Sequence, residues 1–238
     1  MPGKPTMPLA FEPAPPSRRP ALSAVRPPRL VPPAGRDPRA ARPVQLAVKR
    51  AIDIAAATVG LALLVPLLPL IAVVIRLDSP GPVFVRDLHL GRDDIPFNLL
   101  AFRTGRWDGR GRARHGDEEP TRIGPLLRAS GLAALPRLWN VLRGDMALVG
   151  PLPHAPDLAI GGRPCLHAVP DYAERHWLRP GLAGPAGAMA GADDAALVRR
   201  DLDYVRHFSL VTDLRILRRS AAGALRRLGK ARRARVSD

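Results

Sequence analysis

The longest run of apolar residues lies between Ile54 and Ile75, where every residue except Thr58 is apolar or small. About 20 such residues are enough for an α-helix to cross the hydrocarbon core of a bilayer. The run has almost no polar face, whereas a core helix of a soluble protein normally keeps one. The pattern therefore predicts a segment inserted in a membrane, with a buried helix pair in a soluble protein as the alternative.

Two prolines interrupt the apolar segment near its centre. Pro66 and Pro69 each remove a backbone donor and crowd the preceding turn, so a sharp bend is expected there. Each half is then too short to span a bilayer. Lys49 and Arg50 precede the segment and Arg76 follows it, and the positive-inside tendency would keep both ends cytoplasmic. The sequence favours a re-entrant helix hairpin over a spanning helix, which stays open as the alternative.

Beyond the apolar segment the pattern changes to short strands and amphipathic helices. Turn-forming residues at 78–82 precede a β-prone run at 83–85. Apolar residues at helical spacing predict two short helices around 123–127 and 135–142, and a last helix over 195–228 with a basic end. We expect a small α/β monotopic membrane domain with a re-entrant helix hairpin, amphipathic surface helices and a few short strands.

Composition divides the chain into four segments. Residues 1–43 are rich in proline and arginine without apolar periodicity, which predicts a disordered basic arm. The hairpin occupies residues 44–77, the core 78–220 and a basic tail 221–238. Within the core, residues 105–119 lack an apolar period and predict a mobile loop.

The charge of the chain points to an anionic partner. Its 37 Lys and Arg against 21 Asp and Glu give a formal net charge of +16, which suits phosphate groups, nucleic acid or an acidic membrane surface. The apolar segment and the low aromatic content argue against a nucleic-acid partner. Cys165 is the single cysteine and the histidines fall at no metal-ligand spacing, so no metal site is predicted from spacing.

Several short motifs occur in the order found in one known family. They are KRAID at 49–53, DSPGPVF at 78–84, LPRLWNVL at 135–142, GDM at 144–146, LVGP at 148–151 and RPGLAG at 179–184. Asp201, Tyr204 and Asp213 have spacings like those of its final helix. On these residues the chain resembles the bacterial sugar transferase family, also called monotopic phosphoglycosyl transferases.

The resemblance implies an enzyme at the cytoplasmic face of the bacterial inner membrane. Such an enzyme transfers a sugar phosphate from a nucleotide sugar, usually a uridine diphosphate sugar, to a polyprenyl phosphate such as undecaprenyl phosphate. The products enter polyprenyl-linked glycans such as exopolysaccharide or lipopolysaccharide. An adjacent Asp-Glu pair carries the chemistry in the family: the aspartate attacks phosphorus, and the pair works with magnesium.

The chain departs from the family at the catalytic pair. The two positions are Ala133 and Ala134, and a methyl group can neither attack phosphorus nor bind magnesium. We expect a degenerate paralogue with lost or weak catalysis, which binds substrates or regulates an active transferase paralogue. The alternative is an active phosphoglycosyl transferase with displaced carboxylates, for which Asp145 is the first candidate and magnesium the cofactor.

Two other family positions are altered, and a set of arginines is kept. Leu152 stands where an arginine is expected, and Gly184-Pro185 replaces a Gly-Trp turn. Guanidinium groups suit diphosphates and lipid head groups, although each could instead form ion pairs within the fold. The predicted phosphate- or substrate-binding residues are Arg86, Arg92, Arg103, Arg122 and Arg128.

Overall fold

The computed structural model describes residues 42–107, 119–160, 162–185 and 193–234, without the side chains of residues 166 and 224–234. The predicted basic arm lies almost entirely outside the described residues, and so does most of the predicted loop at 105–119. The last residues of the predicted basic tail are outside them too. The described residues form a mixed α/β fold, as predicted.

The apolar segment forms two helices, α1 (Pro43–Leu64) and α2 (Leu67–Asp78), whose axes are bent by 60°. Pro66 lies in the break between them. Pro69 lies in the first turn of α2, where the missing backbone donor is tolerated, so the helix continues through it. The bend is thus placed at the first of the two prolines.

Much of the helix pair presents apolar side chains to its surroundings. Within the described ranges, no single helix is long and apolar enough to cross a membrane, whereas the bent pair together is. This geometry is that of a broken span or a re-entrant loop. The large exposed apolar residues of the pair include Val59, Leu63, Val65, Leu70, Val73 and Leu77.

A β-hairpin follows the helix pair. Strands β1 (Phe84–Leu90) and β2 (Pro96–Phe102) are antiparallel, with Phe84 opposite Phe102 and Leu90 opposite Pro96. Alternate residues of β2 point into the core, and Leu99 and Ala101 are almost completely buried. The predicted β-prone run is therefore the start of a longer strand.

Two short helices follow the β-hairpin, as the apolar spacing predicted, and the second packs against β2. Helix α3 (Gly124–Ser130) leads through a 3₁₀ turn (Leu132–Ala134) to α4 (Arg137–Arg143). Gly131 and Gly144, with φ of 77° and 95°, end the two helices in the left-handed conformation that glycine adopts without steric cost. Gly131 thus separates α3 from the 3₁₀ turn, and Gly144 separates α4 from the strand that follows.

Parallel pairing closes the core beside α4. Strand β3 (Ala147–Val149) pairs with β6 (Gly181–Ala183), and the backbones at Gly150 and Gly181 are too close for either to carry a Cβ. In the sequence between β3 and β6, the chain forms the small antiparallel pair β4 (Ala159–Ile160) and β5 (Arg163–Pro164), helix α5 (Cys165–Ala168) and a 3₁₀ segment (Tyr172–Trp177).

The single long helix predicted over 195–228 is wrong. The chain instead forms α6 (Asp194–Arg206) and α7 (Leu210–Ala234). Phe208 turns into the core, where 1% of its surface is exposed, and the Ser209 hydroxyl accepts a hydrogen bond of 3.1 Å from the Thr212 amide. A serine capping a helix N-terminus in this way starts a new helix.

Buried charges tie the start of α1 to α7. The Lys49 ammonium lies 2.7 Å from one Asp213 oxygen and 3.7 Å from Asp53, and the Tyr204 hydroxyl donates to the other Asp213 oxygen at 2.6 Å. Asp53 in turn accepts a hydrogen bond of 3.1 Å from the Leu148 amide. Residues of the first and last family-like motifs are therefore direct neighbours.

Candidate functional site

The positions that the resemblance assigns to the catalytic pair lie in the 3₁₀ turn between α3 and α4. Ala133 is 3% exposed and packs in an apolar cluster with Ile71, Ile75, Phe102 and Leu127. Ala134 is half-buried. The methyl group of Ala133 is thus in contact with apolar side chains.

Asp145, the predicted substitute, lies at the other end of α4. One of its oxygens accepts a hydrogen bond of 3.2 Å from the side-chain amide of Asn140 and lies 3.6 Å from the Arg143 Nε. The seven residues of α4 separate it from Ala134 by about 10 Å, at a rise of about 1.5 Å per residue. Asp145 thus braces the turn after α4 rather than lying at the 3₁₀ turn.

Two other carboxylates interact with the elements on either side of that turn. One Asp78 oxygen accepts a hydrogen bond of 3.3 Å from the Ile123 amide at the start of α3. Asp87 lies near Arg137: burial lowers the pKa of this arginine, and the charge of Asp87 opposes the shift. Asp87 therefore lies near Arg137, the first residue of α4, three residues after Ala134.

The five predicted phosphate-binding arginines fall into different environments. Arg103 is 1% exposed, and its guanidinium donates to the carbonyl oxygens of Ser79 and Pro80, both at 2.7 Å. Arg128 is half-buried, and its Nε donates to the Thr104 hydroxyl at 2.8 Å. These two hold the turn after α2 and the loop after β2. Arg86, Arg92 and Arg122 are exposed and accessible to a ligand.

The other altered positions are neighbours in space. A Cβ on Gly184 would lie 3.3 Å from the Leu152 side chain, so the residue that replaces the expected arginine packs against the altered turn. The Leu152 amide donates to Asp201 at 2.9 Å, and its carbonyl accepts from Arg175 at 2.6 Å. Arg175 and Asp201 form a buried ion pair of 2.7 Å. Backbone and buried charge thus fix this loop without an arginine at position 152.

Sequence reasoning missed a group of cations. Arg50, Arg92 and Arg179 line one pocket together with Lys49 and Asp53. Of the three, the sequence predicted only Arg92 as a phosphate-binding residue, and positions so far apart give no sign that Arg50 and Arg179 lie beside it. We call the three guanidinium groups and the space between them the arginine pocket.

A magnesium ion does not fit the alanine pair. Within the described residues no group of three His, Cys, Asp or Glu side chains is placed to hold a metal ion. Magnesium prefers oxygen ligands, and Ala133 and Ala134 offer no side-chain oxygen.

The fold and its motifs define a class of protein, and sequence comparison agrees with them. The profile of the family described as "Bacterial sugar transferase" matches residues 44–227, and the chain belongs to this family. The match includes the bent helix pair, the β-hairpin and both short helices around the alanine pair.

Three relatives show the range of proteins that this chain is similar to. The UDP-glucose:undecaprenyl-phosphate glucose-1-phosphate transferase of Caulobacter vibrioides is 42% identical over 74% of this chain and 69% of its own length. The undecaprenyl-phosphate glucose phosphotransferase of Komagataeibacter xylinus is 39% identical over 71% of this chain, but the match spans only 34% of that protein. The exopolysaccharide production protein PSS of Rhizobium leguminosarum is 38% identical over 73% of this chain and 93% of its own length.

Proposed function

We propose that this protein binds a nucleotide sugar and undecaprenyl phosphate at the cytoplasmic face of a bacterial inner membrane, in the formation of polyprenyl-linked glycans. The family assignment and the printed names of its relatives support these two ligands. The bent helix pair supports the membrane location, because most of its exposed residues are apolar on a segment of membrane-crossing length.

The proposal includes lost or weak turnover, and the packing of Ala133 is the observation that carries it. A side chain without an oxygen lies at the position of the family nucleophile, inside an apolar cluster that leaves it 3% exposed. Removing a nucleophile leaves only the catalysis that comes from positioning and electrostatics, a loss of several orders of magnitude. The chain would then act by holding substrates or by pairing with an active paralogue.

A second candidate is an active sugar-1-phosphate transferase, which the relatives' names favour over the first. Each of the Caulobacter and Komagataeibacter relatives is named for transfer to undecaprenyl phosphate. In this candidate a carboxylate other than the missing pair attacks the sugar-linked phosphorus and the nucleoside monophosphate leaves. Asp87, near Arg137, is better placed for this role than Asp145, which lies beyond the far end of α4.

Direct binding and turnover separate the two candidates. The full-length protein, purified in detergent, is titrated with UDP-glucose and UDP-N-acetylgalactosamine, and uridine monophosphate release is followed with undecaprenyl phosphate and magnesium. Binding of a UDP-sugar without measurable release is the expected result. Release at an ordinary rate, abolished in Asp87→Asn and kept in Asp145→Asn, would establish the second candidate. No binding to any UDP-sugar would contradict both.

A further inference from the structure

The alanine pair changes the charge of the site as well as its ligands. Two carboxylates bring two negative charges, and a magnesium ion bound to them cancels these charges while it binds substrate phosphates. Ala133 and Ala134 bring neither the charges nor the oxygen ligands. Without any metal, the alanine pair therefore has the net charge that a carboxylate pair reaches only with magnesium bound.

Arginines lie on both sides of the 3₁₀ turn that contains the pair. Arg137 is the first residue of α4, three residues after Ala134. Arg128 is in the last turn of α3, five residues before Ala133. Both arginine side chains are half-buried, so a ligand can reach them. Each of the two helices that frame the turn thus carries a cation.

Both guanidinium groups keep a donor without an acceptor. Among the residues that the structure describes, the Arg137 Nε and one terminal nitrogen of Arg128 are buried and have no hydrogen-bond partner. Arg128 uses its Nε for the Thr104 hydroxyl at 2.8 Å. A buried donor without an acceptor costs free energy, so an anion bound to these groups would gain strong hydrogen bonds without displacing existing ones.

The charge of Arg137 is only partly compensated within the fold. Burial lowers the pKa of Arg137 below its ordinary value, and the charge of Asp87 opposes this shift without reversing it. A second anion beside the guanidinium would stabilise its protonated form further. A phosphate group is such an anion, and its oxygens match the planar fork of an arginine.

We propose that the site at the alanine pair binds the diphosphate of a nucleotide without a divalent cation, with Arg137 and Arg128 supplying the positive charge in place of magnesium. The inference rests on the proposed nucleotide-sugar binding and adds how the diphosphate is held. Added magnesium would have only the phosphates as ligands at the pair, and it would cancel the negative charge that the arginines recognise. Magnesium should therefore leave binding unchanged or weaken it.

This site is separate from the arginine pocket. Arg50 and Arg179 of that pocket contact the last residues of α4 and the glycine after it. Arg137 begins the same helix, about 10 Å away by its length. Substitutions of Arg137 and Arg179 can therefore distinguish two possible locations of one ligand.

Calorimetry with uridine diphosphate measures the metal dependence of binding. The full-length protein in detergent is titrated once with a metal chelator present and once with magnesium in excess. We expect binding in the chelator to be at least as tight as binding with magnesium. Arg137→Gln should weaken it by about tenfold, as for loss of one charge-assisted hydrogen bond. Arg143→Gln is the matched control, because Arg143 is exposed at the other end of α4, and it should bind as the natural protein does.

Ala134→Glu returns one carboxylate to the site. Ala134 is half-buried and lies outside the apolar cluster around Ala133, so this variant places no charge within that cluster. In the chelator it should bind uridine diphosphate about tenfold more weakly than the natural protein, and excess magnesium should restore its affinity. Equal affinities of the natural protein and Ala134→Glu in the chelator would contradict a diphosphate bound beside the alanine pair.

The outcomes separate this inference from the proposed function. Binding by the natural protein only with magnesium would overturn the inference and leave the proposed nucleotide binding intact, whereas no binding in either condition would contradict both. Unchanged binding in Arg137→Gln together with a loss in Arg179→Gln would place the ligand in the arginine pocket and overturn the role of Arg137. The comparison of chelator with magnesium uses the natural protein, so it does not depend on the folding of any variant.

Discussion

Removal of the Asp213 carboxylate should strongly destabilise the protein. Lys49 and Asp213 are 8% and 7% exposed, and their charged atoms are 2.7 Å apart. Loss of one partner leaves a buried charge uncompensated, which typically costs about 3–5 kcal/mol, and the Tyr204 hydroxyl also loses its acceptor. Asp53, 3.7 Å from the ammonium, offsets part of the loss. We therefore expect Asp213→Ala to cost about 3 kcal/mol, or about 6–12 °C in Tm.

Thermal unfolding of the purified protein in detergent, followed by circular dichroism, measures this change. Asp203→Ala is the matched control, because Asp203 is an exposed carboxylate on α6, and it should stay within about 0.5 kcal/mol of the natural protein. The double variant Lys49→Met/Asp213→Leu removes the ion pair but leaves the buried Asp53 without its cation and the Tyr204 hydroxyl without its acceptor, so it should recover only part of the stability. A loss below about 1 kcal/mol in Asp213→Ala would refute the role of this ion pair in joining α1 to α7.

Three further results are expected. Gly150→Ala should lower the free energy of unfolding by at least about 2 kcal/mol in thermal unfolding, because its Cβ would overlap the backbone at Arg179. A Cβ on Gly223 meets nothing within 4 Å, so Gly223→Ala should raise that free energy by up to about 1 kcal/mol. Equal effects of the two substitutions would contradict the close approach of the backbones at Gly150 and Arg179. Burial lowers the pKa of His176 from 6.5 to about 4. Between these pH values the unfolded chain binds a proton at His176 and the native state does not, so the free energy of unfolding should fall by up to about 3 kcal/mol as pH drops from 6.5 to 4. Denaturant titrations over this range should show a flatter dependence for His176→Gln, and an unchanged slope would contradict the assignment. The protein should also stay with carbonate-washed membranes, whereas recovery in the soluble fraction would contradict the inserted helix pair.

The sequence revealed those features that depend on local signals. Pro66 and Pro69 at the centre of an apolar run predicted a bend, which lies at Pro66, and apolar spacing predicted α3 and α4. The helix break at Ser209 was missed because the apolar spacing continues across it, and only the capping hydroxyl and the burial of Phe208 mark it.

Parts of the candidate site depend on contacts between distant segments and were not predictable from motifs. Arg103 has the residue type expected for phosphate binding, yet its guanidinium is taken up by backbone carbonyls of the turn after α2. Arg50, Arg92 and Arg179 come from three distant parts of the sequence, and Arg50 and Arg179 meet because α4 ends between α1 and the segment before β6. No periodicity or spacing contains that information.

The most direct test of the proposed function restores the missing pair. Uridine monophosphate release from UDP-sugars with undecaprenyl phosphate and magnesium is measured for the natural protein and for Ala133→Asp/Ala134→Glu, with UDP-sugar binding and Tm recorded for both. The account predicts no measurable uridine monophosphate release from the natural protein and measurable release from the folded double variant. The reason is that the substrates would still bind and only the carboxylates are missing. Release by the natural protein at an ordinary rate would contradict the account and point to a displaced carboxylate.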